Sequence, residues 1–233
     1  MCPQERSMLG RSDDMKITAR AGYAGGLSDS NPKVCYHNAF QVRDYGSLGH
    51  AEVVRLRIPP SKFQVRRHAS IFAAASKRSS AAHPLLFFFA RLFCVEAFAE
   101  VYFNLFDERG DRPDQAGDRG PEYRNVIGIP GGGAGPLYAQ LEQACLATGD
   151  RLDLSRGRSD GKDGDSRANV WVMDTSKSPF FVAEPYHQFH DGFKLGEDYP
   201  ASYNDMSKKL LSAGLFEDSK CPAGMIGLGI GGL

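Results

Sequence analysis

The chain has 233 residues, of which 42% are hydrophobic, and this is enough for the core of one good-sized domain. Lys+Arg and Asp+Glu both number 28, so the formal net charge of +0 gives no overall field that would attract nucleic acid or an anionic membrane. Five cysteines without paired short spacings argue against a secreted disulfide framework and a zinc site. We therefore predict reduced thiols, and a monomer that binds no metal, nucleic acid or membrane. No signal peptide precedes the first motif, which favours a reducing compartment, cytoplasmic or organellar.

The first predicted strand lies near the start of the chain, where Ile17, Ala19 and Ala21 alternate with polar residues. It runs into the motif GYAGG at 22–26. Three glycines in five residues permit positive φ angles and close backbone approach, so the motif predicts a sharp turn or the wall of a site. The motif lacks the glycine spacing and the Lys-Ser/Thr pair of phosphate-binding loops.

A second predicted strand, at 49–58, carries an acidic residue at the start of an apolar face. Val54, Leu56 and Ile58 share that face, and Glu52 falls on it by the two-residue period of a strand. A carboxyl group removed from water has a raised pKa, as an acid that donates a proton near neutral pH requires. The alternative is that Glu52 ends the strand with its carboxylate in solvent, where most glutamates lie.

The segment between the second strand and the middle of the chain has a different composition. No acidic residue occurs from Val65 to Val95, and the basic and serine-rich run at 76–80 precedes the apolar run at 84–89. That apolar run is much shorter than the roughly 20 residues of a membrane-spanning helix. We predict an insertion at 65–97, with a surface amphipathic helix as the alternative, and neither interpretation assigns a function.

Two helices and one strand are predicted next. Phe98, Tyr102 and neighbouring apolar residues share one helical face, and the alternating residues at 125–129 predict a strand that ends in a glycine-rich loop. Pro136 and Gly149 stand where a helix begins and stops. Cys145 lies on the apolar stripe of that helix, so we interpret it as an inert core thiol.

The last third predicts a hairpin, a helix and a flexible tail. The acidic run at 160–165 lacks the calcium-loop pattern, so we predict a solvated hairpin tip between Leu154 and a returning strand at 170–173. A helix at 206–213 stops at Gly214. The tail at 215–233 is glycine-rich and contains Cys221, and such a tail allows a cysteine to reach a distant sulfenic acid.

Several ordered blocks of the sequence resemble the A-type peptide methionine sulfoxide reductases. That family shows GYxGG, NPTYxxVC and TGHAEVV, followed by QGxDxGxQYRS and FxxAExYHQ. The corresponding segments here are GYAGG at 22–26, NP at 31–32 with VC at 34–35, GHAEVV at 49–54, FNLF at 103–106 with QAGDRGPEYR at 115–124, and FFVAEPYHQ at 180–188. Their common order makes a chance match a poor explanation.

The resemblance implies a fold, an activity and a reductant. The fold would be one α+β domain over 1–233, a two-layer, mixed, mostly antiparallel sheet with helices packed on it and a ferredoxin-like core. The activity would be reduction of methionine-S-sulfoxide, free or in oxidised proteins and peptides, by thiol chemistry. No cofactor would be bound, and thioredoxin or another dithiol would supply the electrons.

The resemblance also implies roles for individual residues. Glu52 would be the acid that protonates the sulfoxide oxygen, and Asp118 and Tyr123 would orient it. The alternatives are a carboxylate that caps a turn for Asp118 and core packing for Tyr123. Candidate substrate-binding residues are Tyr23, Gly25, Tyr36 and His187. Of these, Tyr36 is the nearest phenol to the missing tyrosine of NPTYxxVC, and His187 is equally compatible with structural packing.

The nucleophile of the family lies in the motif GCFWG, which this chain lacks. Cys2 precedes Gly22 by 20 residues, about the family interval, and this favours Cys2 as the nucleophile. The alternative alignment is based on Glu5, which matches the Glu that follows the Phe-Trp pair of the family motif. Cys2 would then lie after that pair, and the nucleophile would have been lost. Cys221 resembles the resolving cysteine that thioredoxin later releases. The alternative function is a catalytically impaired relative that binds methionine or methionine sulfoxide peptides without turnover.

Overall fold

The computed structural model describes residues 19–27, 33–36, 43–56, 95–96, 98–113, 118–149, 151–157, 168–184, 187–189, 201–215 and 221. Cys2 lies outside these ranges. So does the predicted insertion at 65–97, apart from residues 95 and 96, and the predicted tail, apart from Leu215 and Cys221.

One antiparallel sheet contains both predicted N-terminal strands. Its strands, β1 (Arg20–Ala24), β2 (Ala51–Arg55) and β6 (Phe181–Val182), are arranged in the order β2-β1-β6. The register places Tyr23 directly opposite Glu52. Within the motif at 22–26, the strand continues to Ala24, and the chain bends at Gly25 and Gly26 with a positive φ of 86° at Gly25, as the glycines predicted. Gly22 is needed for close packing, since a Cβ there would overlap the Phe181 carbonyl oxygen.

A second, parallel sheet lies later in the chain. Its strands, β3 (Val126–Ile129), β4 (Asp153–Arg156) and β5 (Asn169–Asp174), are arranged in the order β3-β5-β4, and both pairs are parallel. The hairpin predicted between Leu154 and Val170 is therefore wrong. Strands that run in the same direction require a crossover connection, whereas a tight turn joins only antiparallel strands.

The main core lies against the parallel sheet. Ile127 and Ile129 are buried while Gly128 between them is exposed, as the two-residue period of a strand dictates. Two helices contribute, α1 (described at 95–96 and 98–103) and α2 (Tyr138–Leu146). The predicted stripe of α2 is confirmed, with Leu141 fully buried and the Cys145 thiol buried beside it. The remaining buried members are Ala99, Tyr102, Phe103, Phe106, Tyr138, Leu152, Val170 and Val172.

A smaller core lies between the antiparallel sheet and the last helix, α3 (Ala201–Ser212). Leu210 of this helix is buried with Ala19 and Phe189, and Val54 and Leu56 pack against them. The apolar face predicted for β2 is thereby confirmed at these two positions. The helix stops where predicted, since Gly214 adopts a φ of 64° and the chain turns there.

These elements confirm an α+β fold, with one correction. The prediction of a single, mostly antiparallel sheet is wrong for the described strands, which form one antiparallel and one parallel sheet of three strands each. Among the residues that the structure describes, no helix has the length and apolar character needed to cross a membrane.

Candidate functional site

A buried tyrosine contacts the predicted acid at the start of β2. The Tyr45 side chain is fully buried, and its hydroxyl donates to Glu52 Oε1 at 3.1 Å. A tight turn makes this possible, because the His50 amide donates to the Tyr45 carbonyl at 2.9 Å and the Gly49 amide donates to the Gly46 carbonyl at 2.8 Å. The chain thus folds back on itself, and a side chain seven residues before Glu52 reaches its carboxyl group.

A second pair of residues approaches the same hydroxyl from the 3₁₀ turn Pro121–Tyr123. The Tyr45 hydroxyl lies 3.3 Å from Glu122 Oε2, and it is hydrogen-bonded to the Tyr123 hydroxyl. Gly46 allows Glu122 to come this close, since a Cβ at position 46 would overlap the Glu122 carboxyl group. Glu52, Glu122 and the two phenols therefore converge on one point, which we call the acid cluster.

Burial sets the proton affinities in the acid cluster. It raises the pKa of Glu52 above the ordinary value, and this outweighs the opposing effect of the Tyr45 hydrogen bond. It also raises the pKa of Tyr45 and of Tyr123, and the nearby Glu52 charge raises both further. Asp118 acts in the same direction, because its negative charge raises the pKa of Glu52 and of Tyr123.

The Tyr45 hydroxyl faces more oxygen atoms than it has protons. It has one proton to donate, and the oxygens of Glu52, Glu122 and Tyr123 all lie around it. Burial raises the pKa of Glu52 and thereby favours the protonated form of its carboxyl group in this crowded position.

Aromatic rings line the acid cluster along one side. Tyr45 stacks on Tyr23 with ring centroids 4.6 Å apart, and on Tyr36 at 5.6 Å. The His187 ring lies 4.5 Å from Tyr36 at a tilt of 58°. Tyr36 and His187 are half-buried, whereas Tyr23 is 1% exposed. The part of this wall that is open to a ligand is therefore made by Tyr36 and His187.

Two buried polar residues fix the backbone around the cluster. Arg124 donates to the carbonyl oxygens of Pro121 (2.8 Å) and Gly49 (3.0 Å), and so joins the 3₁₀ turn to the start of β2. It also contacts the Gly25 carbonyl at 3.4 Å. His50 Nδ1 accepts from the Gly26 amide at 3.1 Å, which leaves the proton on Nε2, 3.1 Å from a carbonyl oxygen.

A disulfide lies next to the aromatic wall. Cys35 is bonded to Cys221, 186 positions away, with their Cα atoms 5.7 Å apart. The predicted reduced thiols are thus wrong for these two cysteines, while Cys145 is a thiol and is buried as predicted. The Glu184 carboxylate lies beside the disulfide, and the potential ligand atoms of the three residues are all within 4.8 Å of one another. This spacing suits a metal ion, but the bonded sulfurs are not thiolates and so are weak metal ligands.

A scan against protein-family models, a search of curated proteins and a search of solved structures each returned no significant match to this chain.

The structure brings five of the nine predicted site residues together. Glu52, Asp118, Tyr123, Tyr36 and His187 all lie in or beside the acid cluster. Tyr23 is buried and donates to Glu184 Oε2 at 2.7 Å, and the Gly25 carbonyl is directed to Arg124. Tyr23 and Gly25 are therefore buried residues that support the site, and neither has an exposed surface for the substrate contact that was predicted.

The two predicted cysteines have different outcomes. Cys2 lies outside the described residues. Cys221 is bonded to Cys35, so its predicted pairing with a nucleophile near the N-terminus is not the one observed. The sequence interpretation also missed Tyr45, Glu122, Cys35 and Glu184. Glu122, Cys35 and Glu184 do stand inside the motif blocks, which was the available signal, whereas Tyr45 lies between two blocks.

The raised pKa of Glu52 predicts a pH-dependent cost in stability. The folded protein holds the Glu52 proton more tightly than the unfolded chain, so the free energy of unfolding falls as pH rises from about 4.3 to the raised value. The slope is at most about 1.4 kcal/mol per pH unit. Glu52→Gln removes this titration. In urea unfolding, the free energy of unfolding of the variant should therefore rise relative to that of wild type across this pH range. A stability difference that stays constant with pH would contradict the prediction, and the exposed Glu142→Gln serves as control.

Proposed function

We propose that the protein reduces methionine-S-sulfoxide to methionine, free or in oxidised peptides and proteins, with thioredoxin or another dithiol as reductant. The observation that carries this proposal is a half-buried glutamate with a raised pKa, held by the hydroxyl of Tyr45 and close to that of Tyr123. A raised pKa makes a carboxyl group better suited to donate a proton than an ordinary glutamate is. The motif blocks that resemble the A-type reductases contain both Glu52 and Tyr123, and the proposed fold is that of the same family.

The chemistry requires an acid because sulfoxide oxygen is a poor leaving group until it is protonated. In the proposed step, Glu52 gives its proton to the sulfoxide oxygen while the half-buried Tyr123 hydroxyl donates a hydrogen bond to that oxygen and the buried Tyr45 hydroxyl holds Glu52 in place. A cysteine thiolate attacks the sulfoxide sulfur, and the S–O bond breaks with uptake of a further proton. The oxygen leaves as water, and methionine is released. The two electrons are supplied by two thiols, which become a disulfide.

The aromatic wall suits the substrate. A methionine side chain is apolar and polarisable, and sulfur makes favourable contacts with ring edges at about 5 Å. Tyr36 and His187 offer such edges beside the acid cluster. Asp118 would orient the substrate or the phenols, and its charge favours a protonated Glu52.

The nucleophile proposed here is Cys2, on its interval of 20 residues to Gly22. The competing proposal is a relative that binds methionine-containing peptides without turnover, and the alignment of Cys2 and Glu5 with the residues after the Phe-Trp pair of the family motif favours it. The two proposals differ in one measurable quantity, the formation of methionine.

The test is reduction of the two epimers of a methyl aryl sulfoxide by the full chain, with thioredoxin, its reductase and NADPH. We expect turnover of the S epimer, none of the R epimer, and loss of turnover in Cys2→Ser. Cys145→Ala is the matched control, because that thiol is buried in the main core. Peptide binding without reduction of either epimer would contradict the enzyme and support the binding protein.

A further inference from the structure

We propose that Cys35, Cys221 and Glu184 form a zinc site when the disulfide is reduced, so that the bound metal and the disulfide exclude each other. This inference goes beyond the proposed function and does not depend on it. The cysteine spacings along the chain predicted no zinc site. These three ligands are far apart in the sequence, and only the fold brings them together.

The spacing of the three side chains fits a small metal ion. Tetrahedral zinc lies about 2.3 Å from sulfur and about 2.0–2.2 Å from oxygen, which places neighbouring ligand atoms about 3.6–3.8 Å apart. The two sulfurs and a Glu184 oxygen all lie within 4.8 Å of one another. The Cα atoms of Cys35 and Cys221 are 5.7 Å apart, so rotation of the side chains can bring two separate thiolates to the required distance once the disulfide is broken.

Glu184 is held in an orientation that suits a metal ligand. Tyr23 donates to Oε2 at 2.7 Å, and the Tyr36 amide donates to Oε1 at 2.9 Å. Both oxygens act as acceptors, which is the role of an ionised carboxylate. Such a group has about four lone-pair sites, so two hydrogen bonds leave sites for an ion. Hydrogen bonds to a ligating carboxylate are common in metal sites, because they fix its orientation.

The burial of the three residues favours a bound cation after reduction. Cys35 is 1% exposed and Glu184 is 8% exposed, whereas Cys221 is half-buried. A thiolate at position 35 beside the carboxylate would place two anions where little water reaches them, which is costly unless a cation pairs with them. Thiolates are soft ligands that select Zn²⁺ over Mg²⁺ and Ca²⁺. The ion, and a water as its fourth ligand, would enter from the side of Cys221.

The change between the two states balances in atoms and electrons. A dithiol reductant gives two electrons and two protons to the disulfide and becomes a disulfide itself, while Cys35 and Cys221 become thiols. Zn²⁺ then binds the two thiolates and two protons are released. In the reverse direction, diamide takes up two electrons and two protons, and the Cys35–Cys221 bond forms. The ion is then set free, because bonded sulfurs are weak ligands.

The site is tested with the full chain reduced by a phosphine without air, in comparison with the oxidised chain. Co²⁺ is the probe, since it occupies zinc sites and its bonds to thiolates absorb in the near ultraviolet. We expect one Co²⁺ per reduced chain with thiolate absorption, its displacement by Zn²⁺, and no such absorption in the oxidised chain. A reduced chain that binds no Co²⁺, or binds it without thiolate absorption, would overturn the proposal.

Substitutions identify the ligands. Cys35→Ser and Cys221→Ser should each lose most of the thiolate absorption, while Glu184→Gln should keep much of it and bind Zn²⁺ at least about tenfold more weakly. The control is the double variant Cys2→Ser, Cys94→Ser, in which both changes lie outside the described residues, and it should bind Zn²⁺ as wild type does. Unchanged binding in Cys35→Ser, or loss of binding in the control, would place the metal elsewhere and reject the site.

Bound zinc should also protect the reduced cysteines from oxidation. With free Zn²⁺ at about ten times its Kd, only about one reduced chain in eleven has no ion. We therefore expect diamide to form the Cys35–Cys221 bond about tenfold more slowly than without zinc. An equal rate with and without zinc would show that metal and disulfide do not compete. None of these measurements contains a sulfoxide, so the zinc site and the proposed reductase activity can fail separately.

Discussion

Glu52→Gln is expected to lower the rate of methionine sulfoxide reduction by about 10²- to 10⁴-fold, the range that positioned proton donors contribute. Gln keeps the shape of the side chain and can still accept from Tyr45, but it has no proton to give to the sulfoxide oxygen. The measurement is kcat with the S-sulfoxide. Since the base form of Glu52 is inactive, kcat of wild type should fall as pH rises through its raised pKa.

Two controls separate this loss from general damage. Glu142→Gln makes the same change on the exposed face of α2 and should keep the wild-type kcat. Glu52→Gln should unfold at a urea concentration no lower than wild type at neutral pH, since it removes the cost that the raised pKa of Glu52 imposes on the folded state above the unfolded pKa. Full activity in a folded Glu52→Gln protein would show that the proton comes from elsewhere.

Substitutions of Tyr45 are expected to separate the chemistry from the packing. Tyr45→Phe keeps the rings that stack on Tyr23 and Tyr36 but removes the hydroxyl that contacts Glu52. We expect kcat to fall by about 10- to 100-fold, and stability to fall by about 1–3 kcal/mol because buried polar atoms lose a partner. Tyr45→Ala also leaves a cavity, and should cost about 3–5 kcal/mol of stability.

The matched control for Tyr45→Phe is Tyr102→Phe, the same change in the main core away from the acid cluster. It should leave kcat unchanged, and denaturant unfolding of both variants gives their stabilities. Equal effects of the two substitutions on kcat would mean that the Tyr45 hydroxyl acts only through the fold.

The parts of the fold that could be predicted are those encoded by local periodicity. The two-residue alternation in β3 and the helical stripe around Leu141 each describe one element, and both are present. Strand direction is not encoded locally, because alternation is the same in parallel and antiparallel strands. This is why the segments around Leu154 and Val170 were predicted as a hairpin, whereas they form a parallel pair.

The candidate site divides in the same way. Glu52 could be predicted because its own strand gives it an apolar face. Tyr45 could not, since only the turn that carries the His50-to-Tyr45 backbone hydrogen bond brings its hydroxyl back to the carboxyl group. The Cys35–Cys221 bond spans 186 positions, and nothing in the residues around either cysteine specifies the other.

The acid cluster joins the two sheets. Glu52 lies on β2 of the antiparallel sheet, while the turn that carries Tyr123 leads directly into the first strand of the parallel one, and the two meet where β2 touches that turn. A fragment ending before the turn would keep Glu52 and Tyr45 but lose Glu122 and Tyr123. Catalytic competence in this molecule would then report on whether its two sheets have docked.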